Sequence, residues 1–253
     1  MLFAYLLFDN ICLLYIKDMK TILFDLDGTL LPMVQDEFVR CYYGLLLRKL
    51  EPFHVDGKKF IDALNYGAYL MTINDGTDTN EHVFWKGYTK LMGEPDMEMV
   101  SAINEFYENE FNEAIVSTRP DPLARKIIDL LKKRGYQIIL ATSPLFPRSA
   151  TYNRIRWAGL SPDDFITVTT YETSTSCKPS LLYYQQLINE YDIDPSLTMM
   201  IGNDVGEDMV ASKLGFTTYL VTDYIENRAG VSYEPCLKGS LKKLYEYILD
   251  KVL

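Results

Sequence analysis

The chain has 253 residues, 48% of them hydrophobic, and a formal net charge of −10 with a pI near 4.8. This length is enough for a substantial core with an inserted module. The acidity disfavours nucleic-acid binding, because contact with a phosphate backbone needs a basic surface. The cysteines are widely spaced without a CxxC pair, which predicts free thiols in a reducing cytosol rather than disulfides or a zinc site. They are Cys12, Cys41, Cys177 and Cys236, and we expect Cys177 to be the one most open to oxidation.

The first 18 residues are unlike the rest of the chain. Residues 1–16 include 14 apolar side chains, yet Asp9 and Asn10 interrupt them and no basic residue precedes them. The segment is shorter than the roughly 20 apolar residues that a membrane-spanning helix needs, and a secretory signal is not expected either. Either translation starts at Met19, directly before the first predicted strand, or the segment packs on the protein or on a membrane. We favour the first explanation and exclude residues 1–18 from the predicted fold.

The first predicted strand ends in two acidic residues. The apolar run at residues 22–24 is typical of a fully buried parallel strand, and it is followed by Asp25, Asp27 and a turn at Gly28. In open α/β sheets, ligands bind at the carboxyl ends of the strands. These two carboxylates are therefore the first candidates for a catalytic site, although Asp and Gly also form ordinary turns.

Residues 34–117 have apolar side chains at helical rather than strand-like spacing. Four amphipathic stretches are separated by turn signals, which predicts a helical insertion. The polar segment 74–80 within it could face the candidate site, but we favour a solvated turn. Its aromatic side chains are expected to form the core of the insertion rather than a ligand cage; they are Tyr42, Tyr43, Phe84, Trp85, Phe106, Tyr107 and Phe111.

Two further polar side chains stand at the ends of predicted elements. Residues 136–141 form a strand-like apolar run that ends at Thr142. Lys178 precedes Pro179 and Ser180, which open a predicted helix. Taken singly, Thr142 is typical of a strand end and Lys178 of a solvated surface.

Another buried strand, residues 198–201, leads to a second acidic cluster that contains Asp204 and Asp208. Each of these acids alone is commonly an N-cap or a first-turn residue of a helix. The elements predicted after them are a helix over residues 210–214, an outer strand over 217–221 and an amphipathic closing helix over 241–249.

These polar groups, in this order and at successive strand ends, resemble the motifs of the haloacid dehalogenase-like (HAD) superfamily of phosphohydrolases. The four motifs correspond to Asp25-Leu26-Asp27-Gly28-Thr29, Thr142, Lys178, and Asp204 with Asp208. The resemblance implies a Rossmann-like three-layer α/β/α core with a parallel sheet, formed by residues 19–33 and 118–253. It also implies that residues 34–117 are a small helical cap domain, which closes over the site about hinges near Pro32 and Arg119.

The resemblance gives each site residue a role. Asp25 would be the nucleophile that forms an aspartyl-phosphate, and Asp27 the general acid and then the base for the hydrolytic water. Thr142 and Lys178 would hold the phosphoryl oxygens. The carboxylates would repel a phosphate ester without a cation, which implies Mg²⁺. Its ligands would be Asp25, the backbone carbonyl of Asp27, Asp204 and Asp208, with Asp208 supporting either the coordination shell or the lysine.

Two details of the motifs bear on these roles. Haloacid dehalogenases resemble this pattern but lack an acid at the position of Asp27, so its presence favours phosphate over halogenated substrates. Many relatives have Gly directly before the first acid of the last motif, whereas Asn203 follows Gly202 here. We expect Asn203 to form an Asx turn rather than to contribute an oxygen to a metal.

The predicted function is a cytoplasmic, Mg²⁺-dependent phosphatase acting on a small phosphorylated metabolite, with no nucleic-acid partner and no membrane association. A phosphotransferase such as a sugar phosphomutase, similar to β-phosphoglucomutase, would share every core residue. It would differ in passing the phosphoryl group to a second substrate. A non-catalytic binding or scaffold protein is the least favoured alternative, because it would not need the intact set of acids.

Overall fold

The computed structural model describes residues 16–228, 230–233 and 237–252. Within these ranges one sheet is formed by β1 (Thr21–Phe24), β2 (Gln137–Leu140), β3 (Thr167–Val168), β4 (Thr198–Gly202), β5 (Thr217–Val221) and β6 (Leu237–Gly239). The six strands are parallel, in the spatial order β3-β2-β1-β4-β5-β6. Leu23 of β1 is in register with Ile139 on one side and Met200 on the other. The chain order reverses between β1 and β4, which is where doubly wound sheets bind ligands.

Four α-helices lie within residues 34–117, one for each predicted amphipathic stretch. They are α1 (Gln35–Lys49), α2 (Gly57–Thr72), α3 (Asn80–Met92) and α4 (Met97–Glu108), followed by a 3-10 helix, Glu110–Ser117. The side chains of Asp56, Thr79 and Asp96 cap the first turns of α2, α3 and α4. The helices α2 and α3 pack at two glycines, since a Cβ on Gly87 would lie 3.0 Å from the Cα of Gly67.

Four more helices cover the two faces of the sheet. They are α5 (Leu123–Lys133), α6 (Arg148–Trp157), α7 (Leu181–Tyr191) and α8 (Leu241–Val252). Successive side chains of a strand point to opposite faces. Leu23 and Met200 accordingly belong to an apolar cluster with Tyr184 of α7, whereas Ile22 and Phe24 belong to a larger cluster that includes side chains of α5 and α8. The predicted three-layer α/β/α fold is therefore confirmed.

The helical insertion joins the rest of the chain at two adjacent connections. Met33 and Thr118 form an antiparallel bridge, and the backbone N–H of Arg119 donates to the carbonyl of Pro32 at 2.7 Å. The two predicted hinge positions therefore lie side by side. The apolar side chains of the insertion, such as Phe38, share one continuous cluster with those on one face of the sheet.

Residues 16–18, which the predicted fold leaves out, are part of the described structure. Ile16 is fully buried. Its backbone N–H donates to Oη of Tyr247, and its carbonyl accepts from Oη of Tyr136, both at 3.1 Å. The packed structure thus begins before residue 19, while residues 1–15 of the predicted extension lie outside the described residues.

The elements after the second acidic cluster also differ from prediction. The strand over residues 217–221 is not the outer one, because β6 pairs alongside it. The strands β3 and β6 were not predicted, because two or three residues are too few to show the alternation of apolar and polar side chains that indicates a strand. The predicted helix over residues 210–214 is a 3-10 helix, Met209–Leu214. Among the described residues, no helix combines the length and the apolar character needed to cross a membrane.

Candidate active site

The loop after β1 carries the first two predicted site residues, Asp25 and Asp27. The backbone N–H of Asp25 donates to the carbonyl of Ile201 at 2.9 Å, so β4 fixes its position. Gly28 has a φ of +81°, and a Cβ there would lie 2.3 Å from Nδ2 of Asn203. Because only glycine meets both constraints, the loop can pass close to the end of β4.

Lys178 connects the first acidic pair with the second. Its buried ammonium donates to Asp25 at 2.8 Å and to Asp208 at 2.6 Å. Burial acts to lower the pKa of Lys178, but the two carboxylates outweigh this effect and hold the pKa well above its usual range. The side chain therefore stays charged in the interior, unlike the solvated lysine that is more common.

Asp204 and Asp208 follow β4 at a glycine that leaves room for a carboxylate. A Cβ on Gly202 would lie 2.1 Å from Oδ2 of Asp208. That oxygen accepts from the backbone N–H of Asp204 at 2.9 Å. Burial raises the pKa of Asp208 to about 7, against the opposing effect of Lys178. Asp208 is thus held both by the lysine and by the backbone.

The prediction that Asn203 forms an Asx turn is wrong. Its Oδ1 accepts from Oγ1 of Thr29 at 2.9 Å, and its Nδ2 donates to the carbonyl of Tyr224 at 2.6 Å. The turn is formed one residue later, where Oδ1 of Asp204 accepts from the backbone N–H of Gly206 at 2.7 Å. Asn203 instead connects the loop after β1 with the loop after β5.

Thr142 lies at the end of β2 and is buried. Its backbone carbonyl accepts from Oγ1 of Thr169 at 2.6 Å and from Oη of Tyr183 at 3.0 Å. These bonds attach the second predicted motif to the segment after β3 and to α7.

All the predicted site residues line one cavity of about 200 Å³ at the carboxyl ends of the strands; they are Asp25, Asp27, Thr142, Lys178, Asp204 and Asp208. We call it the catalytic cavity. The sequence did not point to three further lining residues, Glu207, Glu226 and Arg228. Burial raises the pKa of Glu207 to about 7. Arg228 donates to Glu226 at 3.2 Å and to Asp36 of α1 at 2.9 Å, and so connects the loop after β5 with the helical insertion.

The ion-pair partner of Asp27 is Arg154 of α6, a residue that the sequence motifs do not include. Arg154 is 1% exposed, and its guanidinium donates to the carboxylate of Asp27. The guanidinium lies 4.4 Å from the ring centroid of Phe146 and 5.8 Å from that of Phe38, within range of a cation–π interaction. Burial raises the pKa of Asp27 and Asp25 adds to this effect, while Arg154 opposes it.

One signal in the sequence points to Arg154. It stands four residues from both Ala150 and Ala158, the interval that places side chains on one face of a helix. Both alanines are buried. Because an arginine on a buried helix face needs a partner, this pattern indicates an acidic neighbour, but it does not identify Asp27.

The predicted metal ligands are brought to one cavity, where Asp25, Asp27 and Asp208 are paired with cations and Asp204 accepts from backbone N–H groups. Within the described ranges, no group of three or more His, Cys, Asp or Glu side chains is arranged to hold an ion. The donors are nevertheless carboxylates, the ligands that Mg²⁺ prefers. Among the described residues, Oδ1 of Asp27 is buried without a hydrogen-bond partner. The residues present therefore fit a small, hard cation.

Only part of the polar segment 74–80 is the solvated turn that its sequence predicts. Asn80 is fully buried, and its Nδ2 donates to the carbonyl of Ser176 at 3.1 Å. Its Oδ1 accepts from Nδ2 of Asn74 at 2.9 Å. The start of α3 is thus attached to the loop that carries Lys178, while residues 75–77 are exposed.

The cysteine predictions have mixed outcomes. Cys41 and Cys177 are free thiols, as predicted. The expectation that Cys177 is open to oxidation is wrong, because the residue is fully buried and burial raises the pKa of its thiol. Cys12 and Cys236 lie outside the described residues.

The family of the chain is shown by a sequence match that includes the predicted site residues of the catalytic cavity. A family model described as haloacid dehalogenase-like hydrolase matches residues 19–214. The chain belongs to the haloacid dehalogenase-like (HAD) hydrolases. The matched range contains every residue predicted for the site of this HAD hydrolase. No curated protein matches the chain at a significant level.

Solved structures of the same fold cover most of this HAD hydrolase. A HAD phosphatase from Thermococcus onnurineus has 18% identity and a TM-score of 0.56, with 92% of this chain and 99% of that one covered. The L-2-haloacid dehalogenase from Xanthobacter autotrophicus has 12% identity and a TM-score of 0.56, with 91% and 98% covered. The HAD-hydrolase YfnB from Bacillus subtilis, bound to magnesium, has 18% identity and a TM-score of 0.55, with 91% and 99% covered. At these identities the likeness establishes the fold, which does not choose between phosphate and halide chemistry.

Proposed function

We propose that the protein is a cytoplasmic, Mg²⁺-dependent phosphatase that hydrolyses a small phosphorylated metabolite through an aspartyl-phosphate on Asp25. The observation that carries the proposal is a buried cation between two carboxylates. Lys178 contacts both Asp25 and Asp208 at the point where the strand order reverses. A fixed positive charge beside a carboxylate nucleophile suits phosphoryl transfer, whose transition state is stabilised mainly by charge and positioning.

The proposed reaction has two steps. In the first, a carboxylate oxygen of Asp25 attacks phosphorus and the bond from phosphorus to the ester oxygen breaks, while Asp27 donates a proton to that oxygen. In the second, Asp27 accepts a proton from water as the water oxygen attacks phosphorus and displaces the carboxylate of Asp25. Thr142 and Lys178 bind the other phosphoryl oxygens in both steps. Free phosphate leaves, and Asp25 and Asp27 return to their initial states.

Asp27 needs to be held beside the nucleophile and to exchange a proton. Its ion pair with Arg154 supports the first requirement, because the arginine is itself fixed between Phe38 and Phe146. Burial, which raises the pKa of Asp27, supports the second by favouring the protonated form that the first step uses.

Asp25, Asp204, Asp208 and the backbone carbonyl of Asp27 would hold Mg²⁺. The bound ion would neutralise charge on the phosphate group. This contribution is needed because the carboxylates that line the catalytic cavity outnumber its cationic side chains. The hydrogen bond from the backbone N–H of Gly206 to one carboxylate oxygen of Asp204 would hold this side chain in place as a ligand.

Asp27 favours phosphate over halide substrates. A halide ion leaves without a proton, so a general acid beside the nucleophile has no task in dehalogenation, whereas an alkoxide leaving group needs one. A phosphotransferase would use the same residues as the proposed phosphatase. It would differ only in the acceptor of the phosphoryl group, which is an alcohol instead of water.

The proposal is tested by measuring phosphate and chloride release by the full chain, from a panel of phosphate monoesters and from 2-chloropropionate, with and without Mg²⁺. We expect Mg²⁺-dependent phosphate release, which Asp25→Asn lowers roughly 10³-fold or more. Asp62→Asn makes the same change at an exposed position of α2 and should leave the rate unchanged. Chloride release, or transfer to an added alcohol without free phosphate, would overturn the proposal. So would the absence of phosphate release from the folded, Mg²⁺-loaded protein.

A further inference from the structure

A second cavity adjoins the catalytic cavity where the helical insertion meets the segments that follow β2 and β3. Its volume is about 180 Å³, and it shares two lining residues, Gln35 and Leu145, with the catalytic cavity. Its other lining residues are mainly aromatic and include Tyr42, Tyr43, Phe84, Trp85, Tyr88 and Tyr107. Several of the aromatic side chains expected to be only core thus form the wall of a cavity, which we call the aromatic cavity.

The aromatic cavity has little capacity to bind polar groups. None of the described residues that line it carries a charged side chain. Three of the five tyrosine hydroxyls in its wall already have partners: the hydroxyls of Tyr42 and Tyr107 are 2.6 Å apart, and Tyr43 donates to Asn65 at 2.7 Å. A ligand with a second anionic group would find no cation there, and a sugar would find few free hydrogen-bonding groups.

One hydroxyl in the wall is unsatisfied. Tyr88 is 1% exposed, and among the described residues its Oη has no hydrogen-bond partner. A buried hydroxyl without a partner is unfavourable, and a ligand that offers a single polar group could satisfy it. The cavity therefore matches a body that is largely apolar, with at most a few polar atoms.

We propose that the aromatic cavity binds the leaving group of the substrate, and that the substrate is a phosphate monoester of an uncharged, aromatic or largely apolar alcohol. This inference rests on the proposed phosphatase function. The phosphoryl group lies in the catalytic cavity among the ion-paired side chains, and the alcohol part extends past Gln35 and Leu145. Aromatic rings on the wall then stack against it.

The test compares esters whose leaving groups are alcohols of similar acidity, so that chemical reactivity does not mask recognition. The full chain with Mg²⁺ should hydrolyse 2-naphthylmethyl phosphate with a kcat/KM at least about tenfold above that for glycerol 3-phosphate or glucose 6-phosphate. Ala68→Phe, which fills the cavity from α2, should abolish this preference. Ala102→Phe makes the same change at a half-buried position of α4 outside the cavity lining and should keep it.

A binding measurement separates this inference from the proposed reaction. Calorimetry should show that 2-naphthylmethylphosphonate, which cannot be hydrolysed, binds the Mg²⁺-loaded protein at least about tenfold more tightly than methylphosphonate. Tighter binding without hydrolysis of any ester would support the cavity assignment and overturn the phosphatase proposal. Hydrolysis with equal binding of the two phosphonates, or with a preference for the sugar phosphate, would overturn only the inference. The comparison of ligands on the unsubstituted protein decides the point even if Ala68→Phe fails to fold.

Discussion

The catalytic cavity is lined by six carboxylates and two cationic side chains, whereas the aromatic cavity beside it has no charged side chain among the described residues that line it. In the first, each buried charge needs a partner at a fixed distance, as Lys178 has in Asp25 and Asp208. In the aromatic cavity, the side chains need only pack around an empty volume. We therefore expect substitutions in the catalytic cavity to be costly and most substitutions in the aromatic cavity to be mild.

Lys178→Met should have the largest effect, because it leaves Asp25 and Asp208 buried without their cation. We expect the free energy of unfolding to fall by about 3–5 kcal/mol and phosphate release to fall roughly 10³-fold. Urea unfolding and a phosphate assay measure the two changes. Lys213→Met removes an exposed lysine and should alter neither. Near-native stability in Lys178→Met would show that the catalytic cavity tolerates substitution as well as the aromatic cavity does.

Arg154→Met should have the next largest effect, because Arg154 belongs to both regions. It pairs with Asp27 of the catalytic cavity and lies over Phe146 in the wall of the aromatic one. We expect a loss of about 3 kcal/mol in the free energy of unfolding, limited by the 16% exposure of the Asp27 side chain. The matched control is Arg156→Met on the exposed face of α6, which should cost under about 1 kcal/mol. Equal losses in the two variants would contradict the assigned ion pair.

Lowering the pH should destabilise the fold through Asp164. Its side chain is 7% exposed and contacts Arg125 and Lys132. Burial acts to raise the pKa of Asp164, but hydrogen bonds from both cations outweigh it and lower the pKa from 3.8 to about 2. A lowered pKa in the folded state stabilises the fold above the unfolded pKa. The contribution of at most about 2 kcal/mol should therefore be lost as pH falls from about 4 to about 2.

Urea unfolding of Asp164→Asn across this pH range checks the assignment. The variant should be less stable than the unsubstituted protein at neutral pH, and the difference should shrink in acid. Asp163→Asn alters the exposed neighbour and should show no such trend. The exposed pair of Arg48 and Glu113 in the helical insertion, with both side chains more than half exposed, should contribute little at any pH.

Tyr88→Phe should have the smallest effect, and in the opposite direction. It removes the buried hydroxyl without a partner in the aromatic cavity, so we expect the free energy of unfolding to rise by about 1 kcal/mol. Tyr43→Phe removes a hydroxyl that donates to Asn65 and should leave stability unchanged or slightly lower. Thermal unfolding of the two variants measures this difference in stability. A destabilised Tyr88→Phe would indicate that the hydroxyl has a partner, such as a bound water.

Much of the catalytic cavity could be predicted from the sequence because most of its residues follow strands with a clear apolar pattern, while Lys178 was assigned through the resemblance to the family motifs. The apolar run at residues 22–24 indicated a buried strand, and the polar residues that follow each buried run were expected at the same sheet edge. The structure brings Asp25, Asp27, Thr142, Lys178, Asp204 and Asp208 to one cavity. The glycines at 28 and 202 belong to the same local pattern, since each stands where a Cβ would collide with a side chain from the loop after β4.

The sequence by itself therefore determined the strands β1, β2, β4 and β5, the helical character of residues 34–117 and most of the residues that meet at the carboxyl ends of the strands. These features depend on the spacing of apolar residues and on turn chemistry within a few positions of the chain. Only the tertiary structure decided that Arg154 pairs with Asp27, 127 positions away, that Asn80 is buried against Ser176, and that the aromatic side chains enclose a cavity. Such partners depend on how distant helices and loops pack against each other, and no local pattern encodes that packing.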